Sequence, residues 1–195
     1  GIAFFGLMFT MLFTALQVSK DRGGSFLVRL YASPMRAGDF IGGYFFSMLL
    51  IAAAQLLICV VCSFIISLIT GVELSLGRLL LSAVVLILSA ALLIGFGMLF
   101  GSIFSDKAAP GLCSVLISLG SMLGGVFMDV EGLGGVLLDI SRVLPFYHCV
   151  KTARCVITGD YSGFMPSMLV LLAYCAAVGF AAVFAFGRKM KADLS

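Results

Sequence analysis

The sequence predicts an all-α polytopic membrane protein with five transmembrane helices. Three observations carry that prediction. Of its 195 residues, 62% are hydrophobic and only 11% are charged, with a mean hydropathy of +1.23. A soluble core of this size cannot bury so much apolar surface, because the buried fraction grows with chain length. Several apolar runs also reach the roughly 20 residues that a helix needs to cross a bilayer. Finally, basic residues gather in alternate loops, the pattern that orients spans in a membrane.

The first span is expected from Ile2 to Val18 and the second from Ile41 to Ile69, roughly 43 Å as a straight helix and so tilted or protruding. A turn at Val72–Gly77 leads to a third span, Leu79–Phe104, and Ser105-Asp106-Lys107 forms a short loop. The fourth span is expected over Pro110–Met128, its proline tolerated in the first turn. The last covers Ser167–Phe186. Between these two, Asp129–Pro166 is too polar to cross. Within it Leu133, Val136, Leu137, Ile140 and Leu144 recur at helical spacing, stopped by Pro145, and a second short helix runs from Tyr147 to Ile157 before Gly159-Asp160. Such a pair either dips into the membrane, buried against protein, or lies on its surface.

Charge sets the orientation. Lys20, Arg22, Arg29, Arg36, Lys107, Arg188, Lys189 and Lys191 fall on one side. Arg78, Arg142, Lys151 and Arg154 fall on the other, diluted by Glu73, Asp129, Glu131, Asp139 and Asp160. The first side is expected in the cytosol, C-terminus included, in a multi-pass protein of a plasma membrane. Gly1 opens directly on an apolar run without a basic leader, which argues against a signal peptide. With Gly1 outside, an earlier helix is expected, and the chain reads as N-terminally truncated.

A polar island, residues 19–39, separates the first two spans. Gly24 and Pro34 bracket about three helical turns. Ser25 suits an N-cap. Leu27, Leu30 and Tyr31 share one face, while Arg22, Arg29 and Arg36 supply positive charge. Such a helix either inserts into a groove on a soluble partner or rests on anionic lipid.

Other constellations point to packing or a path. Gly111, Ser114, Ser118, Ser121 and Gly125 form one stripe on the fourth helix, suited to close helix approach at a dimer seam or to a hydroxyl-lined substrate path. Gly97 and Gly101 mark a second close approach. Thr10, Thr14 and Gln17 share a face of the first helix, and Gln55 lies deep in the second; interhelical hydrogen bonds are expected of them, with substrate contact as the other reading. No acid or base lies mid-span to run an ion relay.

Catalysis has no visible residues. His148 stands without a metal-binding pattern or paired carboxylates and reads as an outer-face helix residue. Cys59-x-x-Cys62 lacks a second ligand pair, Cys149 and Cys155 share a short loop and could pair although free thiols are expected, and no metal site is expected. No phosphate-binding GxxxxGK[ST] loop is present, so no cofactor is expected on this chain. Dispersed basic charge argues against nucleic acid.

Taken together, the motifs resemble those of ABC-2 type transporter permeases. Gly24-Ser25-x3-Arg29-Leu30-x3-Pro34 is similar to that family's signature between its second and third helices, with Ser where Thr is usual and Asp21 where an earlier Glu is usual. Gly124-Gly125-Val126-Phe127 resembles the end of its fifth helix, although Asp129 follows where a proline is common. Arg142-x-x-Pro145 and Ala153-Arg154-x4-Gly159 resemble the stretch before its last helix. The resemblance implies a six-helix fold whose first helix is missing here, with residues 19–39 as a coupling helix that docks on an ATP-binding subunit. It further implies an exporter built on a dimer of permeases, ATP and Mg held by the partner subunit, and Arg142, Pro145, Arg154 and Gly159 in an outer gate. The other reading is a non-transporting membrane scaffold that recruits a cytosolic partner through the same helix.

Overall fold

The computed structural model describes residues 1–23, 37–71, 75–128 and 130–192. In chain order the described helices are α1 (Ile2–Gly23), α2 (Ala37–Thr70), α3 (Leu76–Ile103), α4 (Ala109–Leu123), α5 (Val130–Leu133), α6 (Gly135–Val143), α7 (Pro145–Thr158) and α8 (Phe164–Ala192). Four of them contain apolar stretches long enough to cross a membrane: Ile2–Arg22, Ile41–Thr70, Leu76–Ile103 and Phe164–Phe186.

The central helix is α3. Within its apolar span 56% of residues are buried inside the protein, against 17% for α2 and 22% for α8, whose remaining apolar surface suits lipid. Phe4, Leu7, Met8 and Met11 recur at helical spacing on α1, and all four are fully buried. The close approach of α1 to α3 is set by two glycines. A Cβ on Gly97 would stand 2.5 Å from the Met11 carbonyl oxygen, and one on Gly101 would stand 2.7 Å from that of Ala15. Any side chain there would push the backbones apart. On another face of α3, Val178 of α8 comes within 3.2 Å of the position a Gly95 Cβ would take.

The largest departure from expectation is α4. The sequence suggested a span reaching Met128, but the helix closes at Leu123. Its 15 residues give about 22 Å, short of a hydrocarbon core of about 30 Å. The stop has a local cause. Gly125 adopts φ +73°, the Val126 N–H reaches the Ser121 carbonyl at 3.1 Å, and the Gly125 N–H reaches that of Met122 at 3.3 Å. This is the glycine-terminated pattern that satisfies the last carbonyls of a helix.

Pro145 does more than end the preceding helix. It occupies the first turn of α7, where its missing N–H costs nothing. From there α7 runs inward against α3, α4 and α8, with Phe146, Cys149, Val150 and Thr152 buried. By contrast α6 stays at the surface, exposing Val136, Ile140 and Val143. Gly159, at φ +80°, closes α7 where the sequence placed its stop.

Candidate functional site

The predicted coupling residues Gly24, Ser25, Leu27, Arg29, Leu30, Tyr31 and Pro34 lie outside the described residues. Their flanks are described and are tied together. The Tyr44 hydroxyl on α2 donates to the Asp21 carboxylate on α1, and Gln17 Nε2 donates to the same Oδ2 at 2.8 Å. Arg22 turns the other way, donating to the carbonyls of Ser102 and, at 3.2 Å, Phe104. Those carbonyls end α3, where a cation is favoured by the helix dipole. Both flanks of the island therefore connect to the membrane core at one end of the bundle, called here the Arg22 end.

The small-residue stripe of α4 divides. Ser121 is buried against α1, donating to the Ile117 carbonyl at 2.5 Å and reaching Met8 Sδ at 3.3 Å. Gly120 is also at the α1 contact; a Cβ there would meet Met8 Cε at 2.5 Å. Gly111, Ser114 and Ser118 are exposed, the two serines bordering an open groove with Phe5, Phe9 and Leu12 of α1, and nothing lies within 4 Å of a Cβ placed on Gly111. The seam used within the chain is thus the neighbouring face of α4, carrying Cys113, Ile117 and Gly120. Ser114 and Ser118 bond their own helix, at 2.8 Å to Pro110 and 3.0 Å to Ser114.

At the opposite, Arg154 end, two groups that looked separate in sequence meet. Arg154 Nη2 donates to the Gly125 carbonyl at 2.5 Å, joining α7 to the terminus of α4. Beside it Lys151 forms an ion pair with Glu131 at 2.8 Å and reaches the Tyr147 hydroxyl at 3.1 Å, while that hydroxyl donates to the same Glu131 oxygen. The Lys151 and Tyr147 hydrogen bonds hold the Glu131 carboxyl below its ordinary range, and the Glu131 bond raises Lys151. These groups line an open cleft of about 370 Å³ with Asp160 and Gly163. The Asp160 carboxylate accepts the Ser162 N–H at 3.1 Å, which lowers its pKa. Arg142 is exposed, and the Arg78 guanidinium packs against Gly159, 3.3 Å from a Cβ built there.

Glu131 and its partners were not singled out in the sequence, where Glu131 counted only as a diluting charge. Tyr147 and Lys151 at i, i+4 were a legible signal; the link to α5 was not, because it depends on where α4 ends.

The remaining polar residues are placed plainly. Thr14 donates to the Thr10 carbonyl at 2.6 Å, so the Thr14 hydroxyl is satisfied within α1 rather than between helices. Gln55 lies against α1, its Nε2 only 2.2 Å from the point a Gly6 Cβ would occupy. His148 is buried, with Nε2 at 2.8 Å from the Arg142 carbonyl, so that nitrogen carries the proton. All six cysteines are free.

Among curated proteins no relative matches this chain. The ABC-2 type transporter family matches over residues 1–158, most of its length. This multi-pass helical membrane chain therefore belongs to the ABC-2 type transporter family and is a permease component of an ABC transporter.

Proposed function

We propose that the chain is the membrane-spanning subunit of an exporter, moving its substrate outward across a plasma membrane. Energy comes from a separate ATP-binding subunit, which holds ATP and Mg. Two permease copies, identical or different, pair across the exposed α4 stripe of Gly111, Ser114 and Ser118. The Arg22 end and the C-terminus face the cytosol, and the Arg154 end faces outward.

The observation that carries this reading is the tether around residues 24–36. Asp21 and Tyr44 join the two flanks, and Arg22 holds the end of α3. A push by the ATP-binding subunit on Arg29, Leu30 and Pro34 thus reaches α3, the helix on which α1, α2, α7 and α8 all pack. At the far end of the bundle, Arg142, Pro145, Arg154 and Gly159 belong to the segment that would move to release substrate. The segment holds the terminus of α4 through the Arg154 bond to the Gly125 carbonyl and the packing of Phe146 on Gly120 and Gly124, so its movement would carry that terminus with it.

The test is affinity purification of the full-length protein from its native membrane in mild detergent. A stoichiometric ATPase, lost in the Arg29→Glu, Pro34→Ala double variant, is the expected result. A preparation that retains its integrity but brings no ATPase moves the reading to a scaffold recruiting another cytosolic partner.

A further inference from the structure

Arg154 borders two cavities of opposite character. On one side is the polar cleft with Glu131, Lys151 and Asp160. On the other is a pocket of about 410 Å³ walled by Phe4, Leu56, Val60, Leu79, Leu86 and Ile157. The two share Val150 as well, so apolar wall and cationic rim are continuous.

The order of these features along the bundle is that of an amphiphile. Arg78 occupies the first turns of α3 and packs at Gly159, beside the cleft. Leu79 and Leu86 then follow down the same helix, the second roughly 12 Å below Arg78. Across the pocket, Ser63 lies roughly 10 Å below the end of α2 at Thr70, with Val60 and Leu56 deeper still. Charge at the mouth and hydrocarbon below match a headgroup above its acyl chain.

The sign of the charge selects the headgroup. Among the described residues around the mouth, Arg78, Lys151 and Arg154 stand against Glu131 and Asp160. Glu131 pairs with Lys151 and also attracts Arg154, so the three cations and two carboxylates leave one positive charge at the mouth. A guanidinium has five N–H donors in a fork that fits phosphate oxygens, and one bond to a carbonyl does not exhaust them.

From this we propose that the Arg154 end holds a phospholipid with an anionic head from the adjoining leaflet, its phosphate on Arg154 and Arg78 and one acyl chain in the Leu56–Leu86 pocket. The site depends neither on the ATP-binding partner nor on the direction of transport, and binding lipid there would brace α7 against α2 and α3.

The experiment is native mass spectrometry of the delipidated full-length protein with phosphatidylglycerol, phosphatidylcholine and glycerol 3-phosphate. Phosphatidylglycerol should bind about tenfold more tightly than phosphatidylcholine, and Arg154→Gln should remove that preference while Arg154→Lys keeps part of it. Ser63→Trp fills the chain pocket without touching the charges; it should abolish lipid adducts at an unchanged melting temperature, which keeps the test valid if Arg154→Gln folds poorly. Equal binding of the two lipids overturns the proposal. So does glycerol 3-phosphate binding as tightly as the lipid, which would mean a site for free phosphate, or lipid binding unaffected by Ser63→Trp.

Discussion

Tyr44 donates its hydroxyl to the Asp21 carboxylate, joining α2 to α1 on either side of residues 24–36. Gln17 is a second donor to the same carboxylate, and Arg22 continues the chain of contacts to the end of α3. A hydrogen bond to a charged acceptor contributes about 1.5 kcal/mol, enough to keep the flanks together but not to hold the fold. Tyr44→Phe should therefore lower stability by about that amount and leave expression intact. Its distinctive effect should be on coupling: ATP hydrolysis continues while transport per ATP falls severalfold. Measuring both rates in one proteoliposome preparation checks this, and an unchanged ratio would mean that the tether transmits nothing.

How much of this was legible in the sequence depended on range. Four of the five expected spans were, because hydrophobic runs are local and the bilayer fixes their length; the fourth was not, because α4 stops at Leu123. The Gly97–Gly101 approach was also readable in kind, since two glycines one turn apart leave a groove whatever helix fills it. Its partner, α1 at Met11 and Ala15, required the fold. The stripe on α4 misled at one edge. Spacing placed five small residues on one face, but Gly125 leaves the helix, and Ser121 lies against α1 together with its neighbour Gly120. The Glu131–Lys151–Tyr147 cluster was the least visible, because it links a four-residue helix to α7 across a turn of unknown shape.

That cluster predicts a pH dependence. Lys151 and Tyr147 hydrogen bonds depress Glu131 below its ordinary 4.5, and Glu131 raises Lys151 above 10.5. The stabilisation is then complete between those two values. It is lost on the acid side as pH falls below 4.5 through the depressed value of Glu131, and on the alkaline side as pH rises above 10.5 through the raised value of Lys151. Because the Glu131 side chain is 57% exposed, screening keeps the pair within about 1 kcal/mol. Glu131→Gln should melt slightly below the wild type at neutral pH, and the two should converge in acid. Melting curves that stay apart in acid would assign the difference to packing rather than to the ion pair.

The exposed edge of α4 separates a subunit seam from a lipid-facing surface. Ser114 and Ser118 satisfy their hydroxyls within the helix, so the face they share with Gly111 is small, nearly apolar and open to close approach. If two copies meet there, Ser118→Cys should form a disulfide between them under mild oxidation, since bridging needs Cα atoms within about 7 Å. Ser121→Cys, buried against Met8, should not. Replacing the exposed native Cys62 by Ser removes a competing thiol. A bulky Ser118→Trp should change monomer stability by no more than about 0.5 kcal/mol, as expected for an exposed position, while abolishing the dimer on size-exclusion chromatography. If Ser118→Cys cross-links no faster than a cysteine at lipid-facing Leu57, the α4 face is not the seam and the two permeases meet through another helix.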